Sequence, residues 1–264
     1  MSARIGSCCA PSQTAEFADL GFEFVEWPMR STVGTMSADE YKALRKQARD
    51  LPLVPEAWNV MLPTDLKVVG PEADHEGMVS YLESALARAS DLGGSIVVFG
   101  SGPSRAVPDG WPREDAFTQF EDGCLKAGEV ARKHGIILAI EPQPSSTVNL
   151  VNSVAEGARI VDDVAHPNVK LLADLGHVGV EGEAFEDTTA AGSVLVHVHV
   201  ALPHSREIPL PNRGGAFLRE YFQALQAAHY KGRISAECEW SSTAELAEGL
   251  AFMRSTWAEA ESAS

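Results

Sequence analysis

The chain has 264 residues, 45% hydrophobic and 22% charged, enough to bury a large core as one big domain or two small ones, which excludes disorder for most of it. Its 21 basic against 37 acidic side chains leave a formal net charge of −16 at pH 7, a field that repels phosphate backbones and anionic lipid surfaces and argues against a nucleic-acid partner. Cys8, Cys9, Cys124 and Cys238 show no CxxC spacing, so reduced thiols in a cytoplasmic protein are expected; no apolar run reaches the roughly 18 residues of a membrane helix, and MSARIGSCCA lacks the apolar stretch of a signal peptide.

From the N-terminus, short β-branched apolar runs alternate with segments of helical period, the pattern of parallel strands joined by crossover helices. Strands are predicted at 4–9 and 22–27 around a helix at 14–20. A helix at 37–50 follows, opened by Ser37 and Glu40 as a capping box, then a strand at 54–61 and a helix at 75–92. Gly93 and Gly94 hand over to a strand at 95–100, and the irregular stretch 101–112 reads as a loop over the mouth of the fold. The helix 114–134 ends at Gly135 before a strand at 136–141, and Ser153 with Glu156 opens a helix at 153–164. Strands at 169–174, 194–200 and 233–239 then alternate with a weak helix at 185–191 and helices at 216–229 and 243–260. Eight strand-helix pairs in about 250 residues are the rhythm of a single (β/α)8 TIM barrel spanning 1–264; an open doubly wound sheet is the rival.

In such a barrel, chemistry belongs to polar residues at the C-terminal ends of the strands. The fifth apolar run ends in Glu141-Pro142, the sixth in Asp174, the seventh carries His197 and His199, and the eighth delivers Glu237 and Glu239. Acids and imidazoles at four successive strand ends converge on one point, and a carboxylate there must be paired, hydrogen-bonded or metal-bound. Two Glu, one Asp and one His suit Mn2+ or Mg2+, with Co2+ and Zn2+ as further options. His197 and His199 share a face of their strand, so one ligand is expected. His199 lies nearer the mouth and is preferred, leaving His197 as a hydrogen-bonded core histidine and Glu239 as a loop carboxylate. Glu26, Asn59, Trp111, Trp240 and Arg105 are further candidates for the mouth, each with packing or solvation as the plainer role.

The segments Ile-Glu-Pro at 140–142, Leu-Ala-Asp-Leu-Gly-His at 172–177, His-Val-His-Val at 197–200 and Gly-Arg-Ile-Ser-Ala-Glu-Cys at 232–238 resemble the xylose-isomerase-like barrels of sugar phosphate isomerases and epimerases. The resemblance implies that Glu141, Asp174, His199 and Glu237 bind one divalent cation, Mn2+ first, and that His177 and Arg206 bind substrate. Asn149 and Asn152 match an Asn-x-x-Asn near the fifth-strand turn. Ala201-Leu202-Pro203-His204 and Gln143-Pro144-Ser145-Ser146 depart from the usual segments, which puts substrate identity in doubt.

The resulting expectation is a metal-dependent isomerase or epimerase acting on a keto-sugar or related polyol through a metal-stabilised enediolate, with Glu141 and Glu237 as acid and base. The alternative is a lyase acting by β-elimination on a 3-keto sugar or 3-keto glycoside, as a dehydratase or the catalytic subunit of a C-glycoside deglycosidase. A non-catalytic sugar-binding barrel is a third reading, and the charge argues against a nucleic-acid-cleaving branch of the same barrels. The expected partner is a small carbohydrate, with no nucleic acid or membrane, and with a homo-oligomer or a small second subunit left open.

Overall fold

A computed structural model of the protein describes residues 2–263. Eight parallel strands pair in chain order and close into a barrel: β1 (Arg4–Cys8), β2 (Val25–Pro28), β3 (Pro55–Asn59), β4 (Ile96–Phe99), β5 (Ile137–Ile140), β6 (Val169–Asp174), β7 (Leu195–Val200) and β8 (Arg233–Ala236). Closure runs through Arg4 beside Arg233 and Ser7 beside Ala236, so the open-sheet alternative falls. The helices are α1 (Thr14–Leu20), α2 (Ala38–Ala48), α3 (His75–Asp91), α4 (Gly102–Arg105), α5 (Arg113–Lys133), α6 (Val154–Val164), α7 (Leu175–Glu181), α8 (Phe185–Ala190), α9 (Gly215–Ala227) and α10 (Thr243–Ser262). Among the described residues no helix is long and apolar enough to cross a membrane. The four cysteines are free thiols.

Local chemistry explains most boundaries. Ser37 and Glu40 exchange hydrogen bonds across the first turn of α2, Ser37 N donating to Glu40 at 2.8 Å and Glu40 N to Ser37 Oγ at 3.3 Å. Ser153 caps α6, but Glu156 reaches one residue further back, to Asn152 N at 2.8 Å. Gly93 and Gly135 take φ of +96° and +67° where α3 and α5 end, conformations that favour glycine.

The core has two parts. The larger one lies between strands and helices, while Phe24, Ala57, Ile96, Val98, Ala139 and Leu172 fill the lumen. At the N-terminal end of the lumen Glu56 accepts from Arg4 at 2.8 Å and Arg233 at 2.7 Å, and both guanidinium groups lie over the Phe24 ring.

Three departures from the sequence-based expectation bear on the C-terminal face. Strands 5 and 8 stop at Ile140 and Ala236, so Glu141 and Glu237 stand just beyond the ladder. The unforeseen helix α7 follows β6 directly, its first turn capped by Asp174, which accepts from His177 N at 3.0 Å. Stretch 101–112 contains the one-turn helix α4 and packs sideways on the β3–α3 loop, with Val68 N donating to Ser104 O at 2.8 Å and Ser104 Oγ to Pro63 O at 2.9 Å.

Candidate metal centre

At the C-terminal ends of β5 to β8, Glu141, Asp174, His199 and Glu237 each bring one donor atom to within 4.8 Å of the others. His199 Nδ1 is the hub. It lies 3.3 Å from Glu141 Oε1, 3.4 Å from Glu237 Oε2 and 4.0 Å from Asp174 Oδ2. The opposite ring nitrogen, Nε2, faces Glu26 Oε1 at 3.0 Å. The two-residue strand period sets His197 one layer deeper, where its Nε2 is 2.7 Å from Glu26 Oε2 and Ser235 Oγ donates to the same oxygen at 2.7 Å. Glu26, His197, His199 and Ser235 are all fully buried.

Neighbouring side chains hold the carboxylates in place. Arg105, fully buried, donates to the Glu141 carbonyl at 2.7 Å and ties the end of β5 to the loop after β4. A Cβ at Gly100 would stand 2.2 Å from Glu141 Oε2, so only glycine leaves the carboxylate its place. Gln143 Nε2 donates to Glu141 at 3.3 Å and Asn59 Nδ2 to Glu237 at 3.0 Å. The loop after β7 is bonded to the segment after β8, with Glu239 N donating to Arg206 O at 2.7 Å and Ile208 N to Glu239 O at 3.0 Å. That pairing aims Arg206, which donates to both oxygens of Asp174 at 3.0 Å and to Glu237 Oε2 at 2.7 Å. His177 is largely buried, its Nδ1 3.1 Å from Pro142 O and its ring 3.8 Å from both Glu141 and Asp174.

Backbone strain gathers at the same face. Val60, Ser101, Val151, His204 and Arg206 follow strands and have positive φ, whereas Ala165 and His229 sit where helices end. Such conformations cost about 1–3 kcal/mol each and persist where the surroundings over-determine them.

Four carboxylates, of Glu26, Glu141, Asp174 and Glu237, meet here, and among the described residues Arg206 is the permanent cation bonded to them. Burial alone would raise the Asp174 carboxyl, but the charges of His177, Arg206 and His199 hold it at about 2. Burial likewise opposes charge on His199, yet Glu26 and Glu237 push its imidazole well above the ordinary range. The cluster has an excess of buried negative charge and three hard oxygen donors beside one nitrogen, and this donor set fits a divalent cation.

The structure thus brings Glu141, Asp174, His199, Glu237, His177 and Arg206 together. Other candidates fall elsewhere. Arg105 is neither solvated nor at the site's surface, being a core residue beneath Glu141. Asn149 bonds both backbone groups of Val107, Asn152 bonds the carbonyls of Gln143 and Val148, and Trp240 packs on Phe17. Glu239 serves the loop bridge through its backbone. Glu26 is the residue whose involvement the sequence leaves open; its signal is a carboxylate in phase with Phe24 on an inward-facing strand.

A closed parallel barrel with an acid-rich centre at its C-terminal face defines a (β/α)8 barrel with its site where this architecture carries chemistry. The chain belongs to the xylose isomerase-like TIM barrel family, whose model matches residues 15–256. It is similar to D-psicose 3-epimerase of Agrobacterium fabrum, 26% identical over 83% of this chain and 76% of the relative. L-ribulose 3-epimerase of Mesorhizobium japonicum is 27% identical over 69% of this chain and 61%, under two thirds, of its own length. A solved structure of L-ribulose 3-epimerase shares the fold with a TM-score of 0.83 at 21% identity, covering 98% of this chain and 96% of that one.

Proposed function

We propose that this protein is a divalent-metal-dependent epimerase or isomerase of keto-sugars or related polyols. The carrying observation is the convergence of Glu141, Asp174, His199 and Glu237 donors within 4.8 Å. These four residues would hold the cation, with Mn2+ preferred and Mg2+, Co2+ or Zn2+ as alternatives. The names of the relatives, D-psicose and L-ribulose 3-epimerases, support the substrate class. The same reading takes residues 1–264 as one domain of a cytoplasmic enzyme.

When bound, such a cation would polarise a carbonyl and an adjacent hydroxyl and acidify the C–H of the hydroxyl-bearing carbon. The protein's own groups do the rest. Glu141 and Glu237 approach His199 Nδ1 from different strands, at 3.3 and 3.4 Å, and in this reading the substrate carbon lies between them with one carboxylate at each face. One removes the proton and the other returns one from the opposite side, which inverts the carbon; delivery to the neighbouring carbon, with a proton moved between the two oxygens, gives aldose-ketose isomerisation. Gln143 and Asn59 each hold one oxygen of these carboxylates, Glu141 Oε2 and Glu237 Oε1, and so fix the orientation of both groups. His177 and Arg206 border the same space and bind substrate oxygens.

Proton NMR in D2O with a panel of ketoses and 3-keto glycosides, with and without Mn2+, tests the proposal. Metal-dependent appearance of an epimer or isomer carrying solvent deuterium is expected. Release of an aglycone or water assigns a lyase, and sugar binding without turnover assigns a non-catalytic barrel.

A further inference from the structure

We infer that Glu26 is a positioning residue of the metal centre: from behind His199 it accepts the Nε2–H hydrogen bond and thereby presents Nδ1, with its lone pair, to the three carboxylates. The inference rests on the metal reading proposed for Glu141, Asp174, His199 and Glu237. A neutral imidazole has one N–H and one lone pair, and the partner of the first decides where the second points. An ionised carboxylate accepts only, so Glu26 Oε1 at 3.0 Å assigns the hydrogen to Nε2 of His199. The orientation of Glu26 is itself fixed, because His197 and Ser235 both donate to Oε2 at 2.7 Å and leave Oε1 for His199. The His-x-His pattern of β7 therefore supplies a ligand and, one layer down, a clamp on the carboxylate that orients it.

A merely structural role explains this arrangement poorly. Glu26 is fully buried, and the hydrogen bonds it accepts come from imidazoles and a hydroxyl, not from Lys or Arg. An uncompensated carboxylate in such a place costs several kcal/mol or so, and apolar side chains of similar size generally serve stability better. One strand period below, the same strand fills the lumen with Phe24. A cation on the far side of His199 balances the charge of Glu26 through the ring, and the imidazole that Glu26 polarises is then the stronger donor.

The test is calorimetric titration of the full chain with Mn2+, using wild type, Glu26→Gln, Ser235→Ala and Glu141→Gln, with melting of each metal-free protein as the stability control. Wild type should bind one Mn2+ that Glu141→Gln loses. Glu26→Gln should weaken binding by about 10–100-fold, and Ser235→Ala should weaken it by less. In the Zn2+-loaded protein, with Nδ1 on the metal, the His199 Nε2–H proton should resonate far downfield in wild type and move upfield in Glu26→Gln, where a neutral acceptor replaces the carboxylate. Unchanged Mn2+ affinity and an unchanged Nε2–H shift in Glu26→Gln, with only melting altered, would overturn the inference. If Glu26→Gln does not fold, the same two unchanged readouts in Ser235→Ala do so. Absence of stoichiometric Mn2+ binding in wild type sinks the metal reading itself, which is a different failure.

Discussion

The two ends of the barrel lumen are built from the same eight strands and solve the problem of buried charge in opposite ways. At the N-terminal end one carboxylate, Glu56, is shared by Arg4 and Arg233, and the guanidinium groups cover an aromatic ring. Acceptors and donors match, and solvent reaches part of each side chain. At the C-terminal end four carboxylates crowd around His199, and Arg206 is bonded to two of them. A plug that only closes a barrel needs no surplus of one sign. The surplus at the mouth is held in place by Arg105, Asn59, Gln143 and a run of strained backbone, which is the organisation of a site prepared for a positive ligand.

The largest expected effect of breaking this contrast is at the mouth. Glu141→Gln and Glu237→Gln should each lower turnover by at least about 10²-fold, because each carboxylate is proposed to serve as ligand and as proton carrier. Neutralising one member of a crowded group relieves repulsion, so the metal-free variants should melt no lower than wild type. A fall in melting temperature alongside retained turnover would mean that these residues brace the fold. Chelation should abolish activity, and Mn2+ at about 100 times its Kd should restore it while adding about 2.7 kcal/mol of stability, or about 5–10 °C at 2–4 °C per kcal/mol for a chain of this size. Unchanged melting on addition of Mn2+ would leave the surplus of charge with no cation to account for it.

The opposite end should behave in the reverse sense. Glu56→Ala leaves two arginines facing one another, but Glu56 is 17% exposed and its partners more so. Screening reduces the penalty to about 1–3 kcal/mol, read by denaturant unfolding, with kcat unchanged. Loss of activity there would show that the two ends are coupled.

Much of this was legible in the sequence because strand period and strand ends are local properties. The eight alternating runs gave the barrel, and the acids that end apolar runs gave Glu141, Asp174 and Glu237. What local reading could not give was set by neighbours distant in the chain. Arg105 looks like a loop arginine until β4 and β5 lie side by side and its guanidinium meets the Glu141 carbonyl. Helix α7 was hidden by Gly176 and Gly179, whose missing side chains admit Arg206 and Pro203. The importance of Glu26 depends on three donors from β7 and β8, 171 to 209 residues away.

The smallest expected effect concerns Arg206, the residue on which the charge contrast turns. As a substrate-binding arginine it predicts that Arg206→Ala raises KM by about tenfold, some 1.4 kcal/mol of lost binding. Its position adds a second expectation, because the guanidinium bonds Asp174 and Glu237, two of the carboxylates proposed to hold the cation. A positive charge there weakens the pull of those oxygens on any other cation, and its φ of +55° shows that the loop is held in a strained form to keep it there. Removing it should therefore leave Mn2+ binding intact or tighten it a few-fold, a change opposite in sign to that expected from Glu26→Gln. A higher KM with Mn2+ affinity kept or improved assigns Arg206 to substrate and charge balance. Weaker Mn2+ binding would instead make it a brace for Asp174 and Glu237, and unchanged kinetics and affinity would reduce it to a loop charge, leaving His177 as the remaining substrate contact.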